Sequence, residues 1–435
     1  MIGSGEEPRG GGLLGRVLRH PSAALVGSSG LSMVLGLGTA ALQARLLGPA
    51  GRGELAIAMV PGGLIAILLS FGLPDFAARL AARGTPTRVL SSLAVVVGLA
   101  VGIVAFVPYV ALARFQAPQG SDAWWLLAIW AAVVPLYIYG STLTGAAIGG
   151  GRWLTSAGVR ALPGLLALIV LAFLFLSGEE VSPLVVGSVL IATTVLTPLV
   201  YLVDRANWPQ RTLDRTIIRD AARFGMRGWL ASATALVNQR IDLLLVSTIA
   251  RPQEIGLYAV STTLAATLNA VANAIAMPNR NRVARGEVEG VAKTCAATML
   301  LILVLAVVLA ALVPFLISVF LGRAFAEAAT PMLVLLAAQV PLAGVVVLTQ
   351  SLNGAGLPGK PLVGEIVALA TTAVLIMTFF GHGGLVLAAV ATGVGNLLSL
   401  AVLVWLCRRH LHRSAVHQFF FINPRELATV VRSLK

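Results

Sequence analysis

The sequence predicts an all-α polytopic membrane protein with twelve transmembrane helices in two parallel-related six-helix bundles. Three observations predict it. The 435 residues are 58% hydrophobic and only 11% charged, whereas soluble domains run near 45–50% apolar and about 25% charged. Apolar stretches of roughly 20 residues, long enough to cross a bilayer as helix, recur along the whole chain. Finally, landmarks of the first half return in the second. Pro108, Pro135 and Gly150 recur as Pro314, Pro341 and Gly356, each 206 positions later, and Pro74 and Arg79 are echoed by Pro278 and Arg282 at a slightly shorter offset. Two matched hydrophobic halves are the sequence signature of a secondary transporter, whose site lies where the repeats meet.

The leader, 1–21, is Gly-rich and carries Arg9, Arg16 and Arg19. The span that follows is too long for a cleavable signal and lacks a small-residue cleavage pattern. Spans one to six fall near 22–47, 54–74, 88–113, 122–148, 153–177 and 183–204, giving an N-terminal bundle over 22–204. Residues 205–223 read as an amphipathic linker helix. Leu213, Ile217, Ile218 and Ala221 offer an apolar side, and Arg211, Arg215, Arg219 and Arg223 recur every four residues on another. Spans seven to twelve fall near 224–249, 254–278, 293–321, 328–354, 361–380 and 384–407, a second bundle over 224–407. The basic tail, 408–435, suggests one more helix, with Asn423 as cap, Pro424 in the first turn and Glu426 completing a capping box. Six spans per half is an even number, so both repeats enter from one side and are related by an axis along the membrane normal.

The net charge of +14 is a matter of topology. With the N-terminus inside, twenty-four of the 31 basic residues fall in the leader, tail and same-side loops, and only Arg45, Arg52, Arg114, Arg251 and Arg323 fall on the other side. The positive-inside rule then sets both termini in the cytoplasm of a multi-pass inner (plasma) membrane protein. The basic excess suits anionic lipid, not nucleic acid.

Prolines recur within the spans at Pro61, Pro108, Pro135, Pro163, Pro198, Pro314 and Pro341, each removing a backbone donor. Pro61-Gly62-Gly63 is the expected local break. Cys295 and Cys407 are far apart in sequence and form no disulfide framework or metal-ligand spacing. The five histidines, His20, His382, His410, His412 and His417, lie in loops or termini. No catalytic constellation, cofactor motif or metal set is expected, and the chain does not read as an enzyme.

The strongest local signal is Asn238-Gln239-Arg240-Ile241-Asp242 in span seven. Arg or Asp at mid-span costs about 2.5–3.5 kcal/mol on insertion scales, so such residues face protein or water. Asn238 and Asp242, four apart, are placed to pair. One reading is an interhelical lock; the other is substrate or ion binding, with Asp242 the candidate for proton or sodium coupling. Tyr258, Thr262, Asn269 and Asn273 form a polar stripe on span eight, and Ser29, Ser32, Gly36, Thr39 and Gln43 form one on span one. Either stripe suits a cavity or helix packing. Arg45 reads as snorkelling to the headgroups. Glu365 reads as solvated near the inner interface, Asp75 as a cap or pair there, and Gln339, Gln350, Asn353 and Asn396 as isolated polar positions.

Residues 223–284 resemble the second-half signature of bacterial polysaccharide and O-antigen flippases. The shared elements are Phe224-Gly225, Arg240-Ile241-Asp242, Gly256-Leu257-Tyr258-Ala259, Pro278 and Arg280. The first half is similar through Ala44-Arg45-Leu46-Leu47-Gly48-Pro49, Gly53-Glu54-Leu55-Ala56 and Phe71-Gly72-Leu73. Asn279, between Pro278 and Arg280, departs from relatives that often place the basic residue directly after the proline. The resemblance implies membership of the multidrug/oligosaccharidyl-lipid/polysaccharide (MOP) superfamily and a MATE-like V of two bundles around a cavity. It also implies movement of a polyprenyl-pyrophosphate-linked oligosaccharide from the inner to the outer leaflet by alternating access, with polysaccharide assembly proteins as further candidate partners. On that reading Arg240, Asn238, Gln239, Asn269, Asn273, Tyr258, Thr262 and Gln43 bind substrate. A multidrug exporter of the same superfamily is the nearest alternative. It would carry acidic residues facing the cavity in the first half, and spans one to six have almost none. A membrane polysaccharide polymerase or ligase would need a large outer loop that the sequence lacks.

Overall fold

The computed structural model describes residues 21–117, 119–210, 214, 216–221, 233–234, 236–357, 359–411 and 414–421. Their order is α1 (Pro21–Leu69), α2 (Leu73–Ala82), α3 (Thr87–Gln116), α4 (Asp122–Gly149), α5 (Trp153–Ser177) and α6 (Pro183–Leu202) in the first half. The second half holds α7 (Ile241–Ile249), α8 (Pro252–Ala284), α9 (Val291–Leu316), α10 (Ala329–Gly354) and α11 (Pro361–His410). Among the described residues nine helices are long and apolar enough to cross a membrane. The protein is therefore an all-helical, multi-pass membrane protein. Its outward faces carry bare apolar side chains such as Ile103, Val107, Phe173, Leu176, Val307 and Met377, which only a lipid environment leaves without penalty.

Two of these helices are too long for one crossing. The 49 residues of α1 and 50 of α11 would each reach about 75 Å at 1.5 Å per residue, against a hydrocarbon core of about 30 Å. Each is two legs joined at a glycine, Gly48 (φ 63°, ψ −178°) and Gly384 (φ 53°, ψ −138°). Side chains avoid this positive-φ backbone, and both turns fall where the apolar pattern separates spans one from two and eleven from twelve. The expected break at Pro61-Gly62-Gly63 does not occur: α1 runs through it unbroken to Leu69. The Gly62 carbonyl accepts a 2.6 Å hydrogen bond from the Tyr109 hydroxyl of α3, which ties the Pro-Gly-Gly segment to its neighbouring helix. Span two ends instead at Ser70–Gly72, and Asp75 sits in the first turn of α2, where an anion complements the helix dipole. In the second half α8 runs straight through Pro278 to Ala284.

The halves meet at the end opposite the basic loops, here called the far end. A Cβ on Gly53 would lie 1.7 Å from the Pro252 carbonyl oxygen, and one on Gly256 would lie 1.9 Å from that of Pro49. Pro49 and Gly53 precede Pro252 and Gly256 by 203 positions each, so the contact is reciprocal, each copy of a Pro-x-x-x-Gly segment receiving the other's carbonyl. Arg45, beside it, does not snorkel freely. Its guanidinium donates to the carbonyls of Phe320, at 3.0 Å, and Val319, at the end of a π-helical turn (Ile317–Leu321) that follows α9. A cation there neutralises free carbonyls of a helix C-terminus and ties the first half to the second.

At the basic end the chain leaves α6 through Arg205–Asn207. Asn207 is buried; it accepts from Arg152 and Tyr139 and donates to the Tyr201 carbonyl. Residues 216–221 are helical. Ala221 is buried, with Ile217 and Ile218 against the core, and Arg219 is exposed; the helix expected over 205–223 is not continuous, since residues 208–210 and 214 are not helical. Leu213, Arg211, Arg215, Arg223, Phe224-Gly225 and Asn423-Pro424-x-Glu426 lie outside the described residues.

Candidate functional site

The sequence Asn238–Asp242 folds as a helix break. Residues 236–238 are helical, Gln239 and Arg240 form a turn, and α7 restarts at Ile241 with Arg240 (φ −133°, ψ 2°) as its N-cap. Interrupted helices free backbone groups and aim side chains inward, which lipid tolerates only where protein or an aqueous cavity surrounds them. The expected pairing of Asn238 with Asp242 assumed a continuous helix and does not form. Asn238 instead donates a 2.6 Å hydrogen bond to Glu365 on α11, so Glu365 is turned into the protein and not left in water.

Asp242 is buried and fully engaged. Its Oδ1 accepts from the Leu243 amide at 2.8 Å, and its Oδ2 accepts from the Tyr258 hydroxyl at 2.9 Å and from Thr392 at 3.3 Å. The carboxylate thus joins α7, α8 and the second leg of α11, and sits in the first turn of α7, where the helix dipole favours negative charge.

Seven of the nine residues expected to bind substrate or ion line one cavity: Asn238, Gln239, Arg240, Asp242, Thr262, Asn269 and Asn273. Tyr258 is not among the lining residues, and its hydroxyl donates to one of them, Asp242. Gln43 is buried in α1 and borders neither this cavity nor the one described below. Thr39 of the same stripe donates to the Gly36 carbonyl, and the Ser29 side chain lies outside the described residues. The cavity gathers Gln339, Thr349 and Gln350 from α10 and Glu365, Thr392 and Asn396 from α11. Thr349 and Thr392 drew no notice in the sequence, because single hydroxyls on apolar helices give no signal until the helices are packed.

Side-chain atoms of Gln339, Thr349 and Gln350 are buried without a protein partner. Each such group costs about 1–3 kcal/mol if left bare, so three on one wall mark a place that water or a ligand completes. Within one helix, Asn273 Nδ2 donates to Asn269 Oδ1 at 2.9 Å, which leaves the Asn269 amide donors turned to the cavity.

Arg52, which charge counting places in an outer loop, stands in α1, next to the interlocked Gly53. Its Nε is buried with no hydrogen-bond partner, and it does not line the cavity, although Arg240 of the other half is near enough for the two positive charges to repel. Like charges held in a poorly solvated place favour an anion that enters near them.

The residues just described fit a fold already known. The structure is similar to that of the lipid II flippase MurJ in an inward closed conformation, with a TM-score of 0.73, 12% identity, and 94% of this chain and 91% of that one covered. It is similar to an inward-facing MATE family multidrug resistance transporter of the MOP superfamily (0.69, 14%, 94% and 99%) and, with a TM-score of 0.57, to an outward-facing one (15%, 96% and 98%). At these identities the likeness establishes the fold, that of the MOP superfamily transporters. No curated protein sequence matches the chain. Residues 20–278, more than half of the sequence, match the model of a family described as polysaccharide biosynthesis protein. The chain belongs to the polysaccharide biosynthesis protein family.

Proposed function

We propose that this protein is a flippase that carries a polyprenyl-pyrophosphate-linked oligosaccharide from the inner to the outer leaflet by alternating access. The observation that carries the reading is the polar cavity at the broken seventh span, lined by Arg240. The Arg240 guanidinium attracts the pyrophosphate, as charge-assisted bonds to phosphate oxygens are the strong ones, and the nearby charge of Arg52 from the other repeat adds to the positive potential. Asn269, Asn273 and Gln239 hydrogen-bond hydroxyls of the attached sugar, and the polyprenyl tail stays in lipid between the halves. The basic loops face the cytoplasm, with the two bundles over 22–204 and 224–407 rocking about the linker. The far-end contact is then the outer gate in its closed state.

Asp242 is the coupling site for a proton or sodium ion on this reading. Its support is a buried carboxylate that already links three helix segments through hydroxyl donors. Binding a cation there would change all three contacts at once.

Arg240→Ala and Arg52→Ala test the anion role. Loss of a charged hydrogen bond of about 1.5–3 kcal/mol predicts roughly a tenfold or greater fall in flipping, at unchanged membrane abundance. Intact glycan export in both variants would show the role to be wrong.

A further inference from the structure

A second pocket, in the first half, has no assigned occupant. It measures about 340 Å³ and lies towards the basic end, between α2, α4, α5 and α6. That volume is in the range of small-ligand sites, about 300–1,000 Å³. Its chemistry comes from Asp75, Tyr137, Ser141, Thr144, Arg160 and Thr194. Its position repeats the first cavity: Gly140 and Thr144 here stand 206 positions before Val346 and Gln350 there. Each half therefore holds one pocket, but the contents differ: amide side chains line the second-half cavity, and none lines the first-half pocket, whose polar groups are hydroxyls with one acidic and one basic residue.

The hydroxyls define what fits. Ser141 donates to the Ile138 carbonyl at 3.1 Å, Thr144 to Gly140 at 2.8 Å and Thr194 to Leu190 at 2.8 Å. Their protons are used within their own helices, so these oxygens are left as acceptors, that of Thr144 already taking a 3.3 Å bond from the Tyr201 hydroxyl. Asp75 adds a further acceptor. Arg160 and the Tyr137 hydroxyl are the donors, and neither has a hydrogen-bond partner among the described residues. Tyr137 also offers an apolar ring, held edge-on to Trp130 at 6.4 Å. A simple anion would meet one guanidinium and four acceptors, and a simple cation would meet Arg160. A ligand rich in hydroxyls, each able to donate and accept, satisfies both sets.

We propose that this first-half pocket holds a sugar ring of the glycan, set apart from the charged cavity of the second half. The inference rests on the flippase reading and adds a site to it. On this proposal a single lipid-linked glycan engages the two halves together, with pyrophosphate near Arg240 and sugar at Ser141 and Thr194.

Protection of single cysteines tests this in inside-out vesicles of the full-length protein, since native Cys295 and Cys407 are buried and react slowly. Ser141→Cys and Thr194→Cys report the new pocket, and Asn269→Cys reports the second-half cavity. Vesicles come from cells making the glycan and from cells lacking the first sugar transferase, and the probe is a membrane-impermeant maleimide. The glycan is expected to slow labelling at Ser141→Cys by about tenfold, the suppression of the free state given by ligand at about ten times its Kd. Labelling stays fast without the transferase. Protection at Asn269→Cys but at neither pocket position overturns the sugar pocket and leaves the flippase reading standing. Protection at the pocket that persists without the transferase overturns the sugar as occupant. No protection at any position overturns the flippase reading itself. Thr194→Cys decides the matter if Ser141→Cys fails to accumulate.

Discussion

At the residue scale, Asp242 carries more of the architecture than its neighbour Arg240. Its carboxylate receives an amide and two hydroxyls from three different helix segments. Tyr258→Phe removes one donor while keeping the ring, and leaves a buried acceptor short of one bond. A loss of about 1–3 kcal/mol is expected, read as a lower melting temperature of the purified protein. Asp242→Asn keeps the size and one acceptor oxygen but loses the charge. If Asp242 couples a cation, this variant flips substrate with no remaining dependence on the proton or sodium gradient. Unchanged gradient dependence would reduce Asp242 to a structural tie between helices. The two measurements separate: the tyrosine variant moves stability first, the aspartate variant moves coupling.

At the element scale, packing explains what the sequence did and did not reveal. Apolar runs alone place the spans closely: span four at 122–148 is the helix Asp122–Gly149, and span five at 153–177 is Trp153–Ser177. Long apolar stretches bounded by Gly, Pro and charge leave little freedom. The partners of polar residues were not legible, because they depend on which helices become neighbours. Glu365 read as solvated until α11 brought it to Asn238, and Arg52 read as a loop charge until α1 turned it beneath Gly53. Asn279, a departure in the family pattern, is buried and donates to Ser351 on α10 at 2.7 Å, so the departure has a packing role. The reciprocal glycine contact makes an element-level prediction. Gly53→Ala or Gly256→Ala puts a methyl within 2 Å of a carbonyl oxygen, so the far ends of α1 and α8 must separate. Spin labels on these two ends should move apart, and the double variant further than either single one. Unchanged distances would mean the helices slide without opening, and the interlock is then no gate.

At the scale of the whole molecule, two unequal halves share one closure. The repeat supplies matched backbones, seen in the Pro-x-x-x-Gly pair and in the equivalent pockets, while the side chains have diverged, with amides lining one pocket and none lining the other. Alternating access requires the far end to part while the basic end closes, so every far-end tie must break in each cycle. Two ties are in view, the glycine interlock and the grip of Arg45 on the carbonyls of Phe320 and Val319. Holding them shut should stop transport without touching either pocket. Arg45 and Phe320 are both exposed, so Arg45→Cys with Phe320→Cys accepts a short, cleavable bis-maleimide bridge. Bridging is expected to abolish glycan export while Asn269→Cys, added to the same protein, stays open to reagent from the basic side. Cleaving the bridge restores export. Continued export with the bridge intact would place the moving gate elsewhere, because no rigid-body rocking of the halves can open an end that is covalently held closed.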